Sequence, residues 1–194
     1  MKHPREIHAE SLRELLSLDL ETGRVFWLHR TEKWFHDSGS KTAAHLCAAW
    51  NSRFYGREAL CWKNQYGYFA GTLLSRLYLR SRVVFTMVNG RWPKETVDHI
   101  DMNRGNDIPS NLREATHAEN CRNRIGKRGG TSRFCGVHWN TAERKWKAEC
   151  VGAAGNRIYL GTFDDEVSAA RAYDATAAVE HGAFARLNYP MSAD

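Results

Sequence analysis

Four polar side chains that could act together in catalysis lie within residues 96–124. They are an aspartate, a histidine and two asparagines, in the order Asp98, His99, Asn111 and Asn120. Hydrolysis of a phosphodiester requires that a water be deprotonated, the phosphate charge neutralised and the leaving oxygen stabilised. One histidine and one hard cation can supply all three, and a hard cation prefers carboxylate and amide oxygens as ligands. The segment therefore contains the groups needed for metal-assisted phosphodiester hydrolysis.

The elements that must position these groups are a strand, a long polar loop and a helix. Thr96 to Ile100 is strand-like, and residues 101–113 are predicted to be loop because Asn, Asp, Gly and Pro crowd them. Thr116 can cap a helix, and Glu119 three residues later completes a capping box. Side-chain-to-backbone hydrogen bonds are expected to shape the loop at three positions: Asp101, Asn103 and Asn106.

The whole segment resembles the HNH endonucleases, in particular their phage and intron-encoded homing branch. An Asp-His pair on a strand is by itself more often a solvated surface pair, so the ordered set carries the resemblance. The matching positions are Asp98-His99-Ile100-Asp101, Asn103, Asn106, Asn111-Leu112-Arg113, Thr116, Glu119-Asn120 and Asn123-Arg124.

The resemblance implies an α+β fold with a ββα-metal arrangement, and it implies roles for the four residues. His99 would be the general base on water, and Asn111 would orient His99 and brace the loop. Asp98 and Asn120 would hold one divalent cation, Mg²⁺ with Mn²⁺ as the alternative. No zinc is expected. His117 lies one helical turn before Asn120, but the family pattern does not require it, and we interpret it as a surface residue.

Residues upstream of this segment also resemble the family, at Leu20-Glu21-Thr22-Gly23, Trp27, Gly67-Tyr68 and Gly90-Arg91-Trp92-Pro93. Leu12, Leu15 and Leu16 predict a short amphipathic helix, and Val25 to Trp27 reads as a strand. Residues 67–79 are predicted to form paired strands with a turn near Ser75-Arg76. A helix is predicted from Arg80 to Asn89, ended by Gly90. Where relatives commonly have His-Arg at the start of this helix, this chain has Ser81-Arg82, and Arg82 could bind a phosphate.

Residues 132–190 resemble the AP2 DNA-binding domain. The matching positions are Gly136-Val137, Trp146, Ala148, Leu160-Gly161-Thr162-Phe163, Ala169-Ala170, Ala172-Tyr173-Asp174, His181-Gly182 and Leu187-Asn188-Tyr189-Pro190. The resemblance implies a three-stranded antiparallel sheet packed on one helix, with the sheet in the major groove of DNA. Strands are predicted at residues 136–139, 145–151 and 157–160, followed by a helix from Thr162 to about Glu180.

The exposed face of these strands supplies the candidate DNA contacts, which are His138, Asn140, Arg144, Lys145, Lys147, Arg157 and Tyr159. At the two leading arginine positions of the AP2 family, this chain has Cys135 and His138. We therefore expect its base-specific reading to be weaker or different, with phosphate contacts positioning the domain.

Charge is distributed unevenly along the chain, whose formal net charge is +6. From Cys135 onward there are six Lys and Arg against eight Asp and Glu, so the positive excess lies in residues 1–134. It is concentrated near a Gly-rich linker, where we expect DNA backbone contacts from Arg122, Arg124, Lys127, Arg128 and Arg133. The predicted organisation is a nuclease domain with an N-terminal accessory region (1–124), a basic linker (125–133) and an AP2-like domain (134–194).

The leading hypothesis from the sequence is a homing-type DNA endonuclease that acts on double-stranded DNA. A non-catalytic DNA-binding regulator with a decayed nuclease half is the alternative, and an RNA-binding protein has little support because no aromatic stacking motif is evident. No two of the five cysteines have CxxC spacing, so a thiolate zinc site is not indicated, and their odd number and wide spacing predict reduced thiols. Neither a signal peptide nor a membrane span is expected, so we predict a soluble protein of the cytoplasm, in a phage-infected bacterial host.

Overall fold

The computed structural model of the chain describes residues 7–122 and 130–189. The chain divides into two compact units, Met1–Ala115 and Thr116–Asp194, which we call the N-terminal unit and the C-terminal unit. This division falls inside the segment that the sequence analysis treated as one motif. The predicted bounds 1–124, 125–133 and 134–194 stay a prediction.

The N-terminal unit mixes helices with small antiparallel sheets. Its helices are α1 (Ala9–Leu15), α2 (Ala43–Phe54) and α3 (Arg80–Asn89). Its strands are β1 (Leu16–Leu18), β2 (Val25–Trp27), β3 (Glu58–Ala59), β4 (Trp62–Lys63), β5 (Phe69–Leu73), β6 (Arg76–Leu79), β7 (Thr96–His99) and β8 (Leu112–Ala115). The sheets have the strand orders β1-β2-β3, β4-β5-β6 and β7-β8.

Helix α3 joins the core of this unit to the β7–β8 hairpin. Val83 and Val84 of α3 are fully buried against Leu12 and Leu15 of α1. Leu16 is buried too, but it opens β1, whereas the sequence predicts it to be part of the helix. The helix ends as predicted at Gly90, whose φ of 71° lies in the left-handed region that glycine adopts without strain.

Two segments of the N-terminal unit differ from the sequence-based expectation. Residues 101–113 are not all loop, because Pro109–Asn111 forms a 3₁₀ turn and Leu112 opens β8. The order is therefore strand, loop, strand and then helix. Residues 30–50, where the sequence predicts no element, contain the first part of α2, capped by Thr42 through a hydrogen bond from the His45 backbone N–H.

The C-terminal unit begins with a short helix, α4 (His117–Arg122), and continues with β9 (Val137–Asn140), β10 (Lys145–Val151), β11 (Arg157–Phe163) and α5 (Glu166–His181). The strands form an antiparallel sheet in the order β11-β10-β9. Helix α5 packs on it through a stripe of small residues, because Ala169, Ala170 and Ala177 are fully buried. The strands and the helix occur near their predicted positions, while the assignment to the AP2 family stays a prediction.

The start of α5 is a correction. Thr162 was predicted to open the helix, but it lies in β11 opposite Lys147. The N-cap is Asp165, whose carboxylate accepts a hydrogen bond of 2.8 Å from the Ser168 backbone N–H. In the described part of the chain, no helix combines the length and apolar composition of a membrane span.

Candidate active site

The β7–β8 hairpin carries Asp98 and His99 at the end of its first strand. Asp98 pairs with Arg113 in the backbone register, and His99 pairs with Leu112. Because neighbouring residues of a strand face opposite sides, the two side chains contact different partners. Both residues are 4% exposed, so these partners determine what each side chain can do.

Arg113 holds the carboxylate of Asp98. Its Nε donates to Oδ2 at 2.8 Å, and its Nη2 lies 2.7 Å from the same oxygen. The side chain of Arg113 is 18% exposed and that of Asp98 is 5% exposed. The pair is therefore largely removed from water, where such contacts are strong and the loss of one partner is costly.

His99 is bound by Asp107, a residue that the sequence analysis did not single out. Nε2 of the imidazole lies 2.8 Å from Oδ1 of Asp107, and Asp107 is 1% exposed. Arg80, the first residue of α3, donates from Nε to the other carboxylate oxygen at 2.7 Å. A single buried carboxylate thus bridges an imidazole and a guanidinium.

Arg80 is itself enclosed. Its Nη1 donates to Oε1 of Glu58 at 3.1 Å, and its guanidinium lies 3.9 Å from the centre of the Phe69 ring. Glu58 also pairs with Arg24, whose hydrogen bond and charge outweigh the effect of burial and lower the pKa of Glu58. The network therefore runs from the exposed Arg24 through Glu58 and Arg80 to Asp107 and His99.

The turn between β1 and β2 packs against the backbone of Asp107. Gly23 has a φ of 68°, and a Cβ added there would lie 2.2 Å from the carbonyl carbon and oxygen of Asp107. Asp19 organises the turn by accepting hydrogen bonds from Thr22 and from the Glu21 backbone N–H. The site loop and the first hairpin therefore meet at a position where only glycine fits.

Asn111 braces the loop, as predicted. Its amide nitrogen donates to Asp101 Oδ1 at 2.9 Å and to the Asn106 carbonyl at 2.8 Å. Its amide oxygen accepts from the Asp101 backbone N–H at 3.0 Å. Burial acts to raise the pKa of Asp101, but the hydrogen bonds from Asn106 and Asn111 outweigh it, so the pKa is lowered. Asn111 thus fixes the loop on which Asp107 lies, while Asp107 makes the hydrogen bond to His99.

The predicted loop-shaping contacts of the other polar residues are present. The Asp101 carboxylate accepts from the Asn103 backbone N–H at 2.8 Å. The Asn103 side chain accepts from the Gly105 backbone N–H at 3.1 Å, and the Asn106 amide donates to Asp101 at 2.7 Å. These short-range contacts hold the chain between His99 and Asp107 in one shape.

An aromatic ring lies beside His99 and a cation lies beside that ring, and neither is among the predicted site residues. The ring of Tyr68 is 5.8 Å from that of His99. The guanidinium of Arg104 lies 5.1 Å from the centre of the Tyr68 ring, and Nη1 donates to the Tyr66 carbonyl at 3.0 Å. Arg104 is exposed, so it is a solvent-facing cation next to Tyr68.

Glu114 of β8 anchors the segment that enters the hairpin. Arg91 donates to it from Nη1 at 3.1 Å and from Nη2 at 2.6 Å, and the Lys94 backbone N–H donates to it as well. The hydrogen bond from Arg91 and that from Lys94 lower the pKa of Glu114 to about 2. The chain is therefore held in place where it enters strand β7.

Asn120 lies in α4, which belongs to the C-terminal unit. The predicted capping box is confirmed, because the Thr116 backbone N–H donates to Glu119 Oε2 at 2.7 Å and the Glu119 N–H donates to Thr116 Oγ1 at 3.2 Å. The oxygens of Asp98 and Asn120 are chemically suited to a hard divalent cation. Within residues 7–122 and 130–189, no cluster of three or more His, Cys, Asp and Glu side chains could hold a metal ion.

The candidate DNA contacts of the sheet lie together on the face opposite α5. Cross-strand pairs of this face join Lys147 with His138 and Lys145 with Asn140. Tyr159 is 59% exposed, and Lys147 lies 5.3 Å from the centre of its ring. Arg144 is an exposed residue of the turn between β9 and β10.

Glu149 interrupts this positive face and was missed as a site residue. It lies opposite Tyr159 in the register. It pairs with Lys147 and lies 3.6 Å from Arg157. The hydrogen bond from Lys147 outweighs burial and lowers the pKa of Glu149. Two of the candidate DNA-binding cations therefore already contact a carboxylate.

The other two described candidates, Arg82 and Arg133, lie outside the strands of this sheet. Arg82 donates to the Glu95 carbonyl at 2.7 Å and lies 5.8 Å from the centre of the Trp92 ring. Arg133 is exposed and lies 4.8 Å from the centre of the Phe134 ring. The predictions for Arg124, Lys127, Arg128 and the side chain of Arg122 lie outside the described part of the chain.

A comparison with protein families agrees with the position of this site. Residues 78–122 match the family model described as HNH endonuclease. The match runs from β6 through α3 and the β7–β8 hairpin to the end of α4, which is less than half of the chain. It suggests nuclease activity, the hydrolysis of phosphodiesters in nucleic acid, and HNH nucleases generally use a divalent metal ion.

Proposed function

We propose that this chain is a homing-type HNH endonuclease that cleaves double-stranded DNA with one divalent cation. The observation that carries the proposal is the buried pairing of His99 with Asp107 at the end of β7, next to Asp98 and inside the segment that matches the HNH family. An imidazole held in one position by a carboxylate suits general-base catalysis. The loop contacts of Asn111 support its proposed role as a brace.

The proposed mechanism assigns one task to each residue. His99 accepts the proton of the attacking water, and Asp98 and Asn120 would hold Mg²⁺, or Mn²⁺ in its place. When bound, the cation would neutralise the phosphate charge and stabilise the leaving oxygen. Asp98 is already charge-paired with Arg113, so ligation has to share or displace that contact.

The C-terminal unit is proposed to be an AP2-like module that positions the nuclease on its target. Support comes from the shared face of Lys145, Lys147, His138 and Tyr159. Cations on such a face contact phosphates and set the register of the protein, while polar and aromatic groups reach base edges. The basic linker is proposed to follow the DNA backbone.

Cleavage of supercoiled plasmid with Mg²⁺ tests the proposal, with wild-type protein compared with His99→Ala. We expect the wild type to convert supercoiled DNA, EDTA to stop it, and His99→Ala to be slower by about 100-fold or more. A gel-shift assay with the same DNA measures binding separately. If the wild type binds DNA but leaves the plasmid intact, the non-catalytic DNA-binding regulator is the better description.

A further inference from the structure

We propose that Asp107 is a positioning residue of the nuclease site, which orients His99 and selects the tautomer in which Nδ1 is the base. Arg80 and Glu58 hold Asp107 in place for this task. The inference rests on the proposed function for its catalytic consequence, although the tautomer can be measured without any cleavage. It assigns a purpose to a buried carboxylate that the four-residue motif does not include.

The geometry selects the tautomer. Oδ2 of Asp107 accepts from Arg80 Nε at 2.7 Å, and Oδ1 lies 2.8 Å from His99 Nε2. An ionised carboxylate can only accept hydrogen bonds, so the imidazole nitrogen facing it has to carry the hydrogen. In a neutral imidazole the lone pair then lies on Nδ1, so Nδ1 is the nitrogen that can accept a proton.

Glu58 shares Arg80 with Asp107, so Arg80 does not fully neutralise the charge of Asp107. Arg80 divides its guanidinium between the two carboxylates, with Nε on Asp107 and Nη1 on Glu58. The side chains of Arg80 and Asp107 are 3% and 1% exposed, so little water screens them. A buried carboxylate in this position stabilises the imidazolium that forms when His99 takes up a proton.

The proposed step transfers one proton to His99 and displaces one oxygen from phosphorus. Water gives its proton to Nδ1 of His99, and the hydroxide oxygen forms a bond to phosphorus. The bond between phosphorus and the leaving oxygen breaks, and its electron pair remains on that oxygen, whose charge a divalent cation would offset when bound. Asp107 stays ionised throughout and keeps its hydrogen bond to Nε2–H.

Asp107→Asn removes the charge with little change in size, and single-turnover cleavage measures the result. We expect the rate constant to fall about 100-fold, with DNA affinity in the gel shift unchanged. Asp37→Asn is the matched control, because Asp37 is exposed and its hydrogen bond, accepted from the Ala43 backbone N–H, is not part of this network. Cleavage by Asp107→Asn at the rate of Asp37→Asn would overturn the proposal.

Arg80→Lys separates positioning from stability. It disturbs the same buried pair and lowers the melting temperature, but it leaves the Asp107 carboxylate beside His99. We expect its rate constant to fall by less than about tenfold. If Arg80→Lys and Asp107→Asn lose the same stability and the same activity, Asp107 serves the fold alone and the proposal fails.

The tautomer is read directly in wild-type protein by NMR with ¹⁵N-labelled histidine, in spectra that correlate ring protons with ring nitrogens. His99→Ala identifies the His99 signals among the nine histidines. We expect hydrogen on Nε2 in the wild type and a loss of this preference in Asp107→Asn. Hydrogen on Nδ1 of His99 in the wild type would overturn the assignment even if Asp107→Asn does not fold. Absence of wild-type cleavage with Nε2–H present would instead refute the proposed function.

Discussion

Arg113 and Asp98 face each other across the β7–β8 hairpin, and two N–H groups of the guanidinium converge on one carboxylate oxygen. A permanent cation thus lies against the carboxylate that is proposed to bind a metal ion. Asp98 would then bind two positively charged partners, Arg113 and the metal ion. Metal binding at Asp98 and the stability of the β7–β8 hairpin would therefore depend on each other.

Replacement of Arg113 by Met tests that dependence. Without metal, Arg113→Met should lose about 2 kcal/mol of unfolding free energy, because Asp98 is buried without its guanidinium. Mg²⁺ should then raise the melting temperature of this variant more than that of the wild type, because the cation no longer competes with Arg113. Thermal denaturation with and without Mg²⁺ measures both effects. In the double variant Asp98→Asn/Arg113→Met the response to Mg²⁺ should vanish, and equal responses in all three proteins would contradict Asp98 as a ligand.

Gly23→Ala should damage the site although Gly23 lies far from Asp107 in the sequence. The added Cβ would lie 2.2 Å from the Asp107 backbone, so the turn or the loop has to move. We expect a loss of more than about 2 kcal/mol in stability, together with reduced cleavage. Gly39→Ala is the matched control, because Gly39 has a similar φ of 58° but nothing within 4 Å of its added Cβ. Its cost should be about 1 kcal/mol from backbone strain alone, and equal losses at both positions would show that the contact with Asp107 is unimportant.

Glu114→Gln should show a pH-dependent loss of stability. Arg91 and the Lys94 N–H hold the pKa of Glu114 at about 2, below its ordinary value of 4.5. A lowered pKa contributes stability that is complete above the ordinary value and is lost as pH falls through the lowered one. The melting temperatures of wild type and Glu114→Gln should therefore differ at pH 7 and converge as pH falls from about 4.5 towards about 2. A constant difference across this range would mean that the charge of Glu114 contributes nothing.

Signals that are local in the sequence predicted much of the structure. The capping box of Thr116 and Glu119, the helix stop at Gly90 and the loop contacts of Asp101 depend on residues a few positions apart. Such contacts form from backbone geometry and nearby polar groups. Helix α2 was missed because its amphipathic signal is weak. Cys47 is its one buried residue, and Trp50 packs instead on Trp27 and Arg30.

The pairing of His99 with Asp107 could not be predicted from residue types alone. Asp107 lies among loop residues that all suit turns, and its partner Arg80 is 27 positions away. Only the folded hairpin, the start of α3 and the turn at Gly23 bring these groups together. Strand β8 was missed for a related reason, because Leu112–Ala115 is short and becomes a strand through its pairing with β7. The motif in the sequence was enough to predict the candidate site residues, whereas their hydrogen-bond partners could be identified only in the folded structure.

Glu149 should weaken DNA binding by the C-terminal unit, because it competes with phosphate for Lys147 and Arg157. We expect Glu149→Gln to raise DNA affinity and Lys147→Ala to lower it, with the slope of log affinity against log salt reduced by about one for Lys147→Ala. Titrations at several salt concentrations measure both variants. Arg171→Ala is the control, because Arg171 lies exposed on α5, which packs on the other face of the sheet, and it should leave affinity and slope unchanged. If Lys147→Ala behaves like Arg171→Ala, this face of the sheet does not contact DNA.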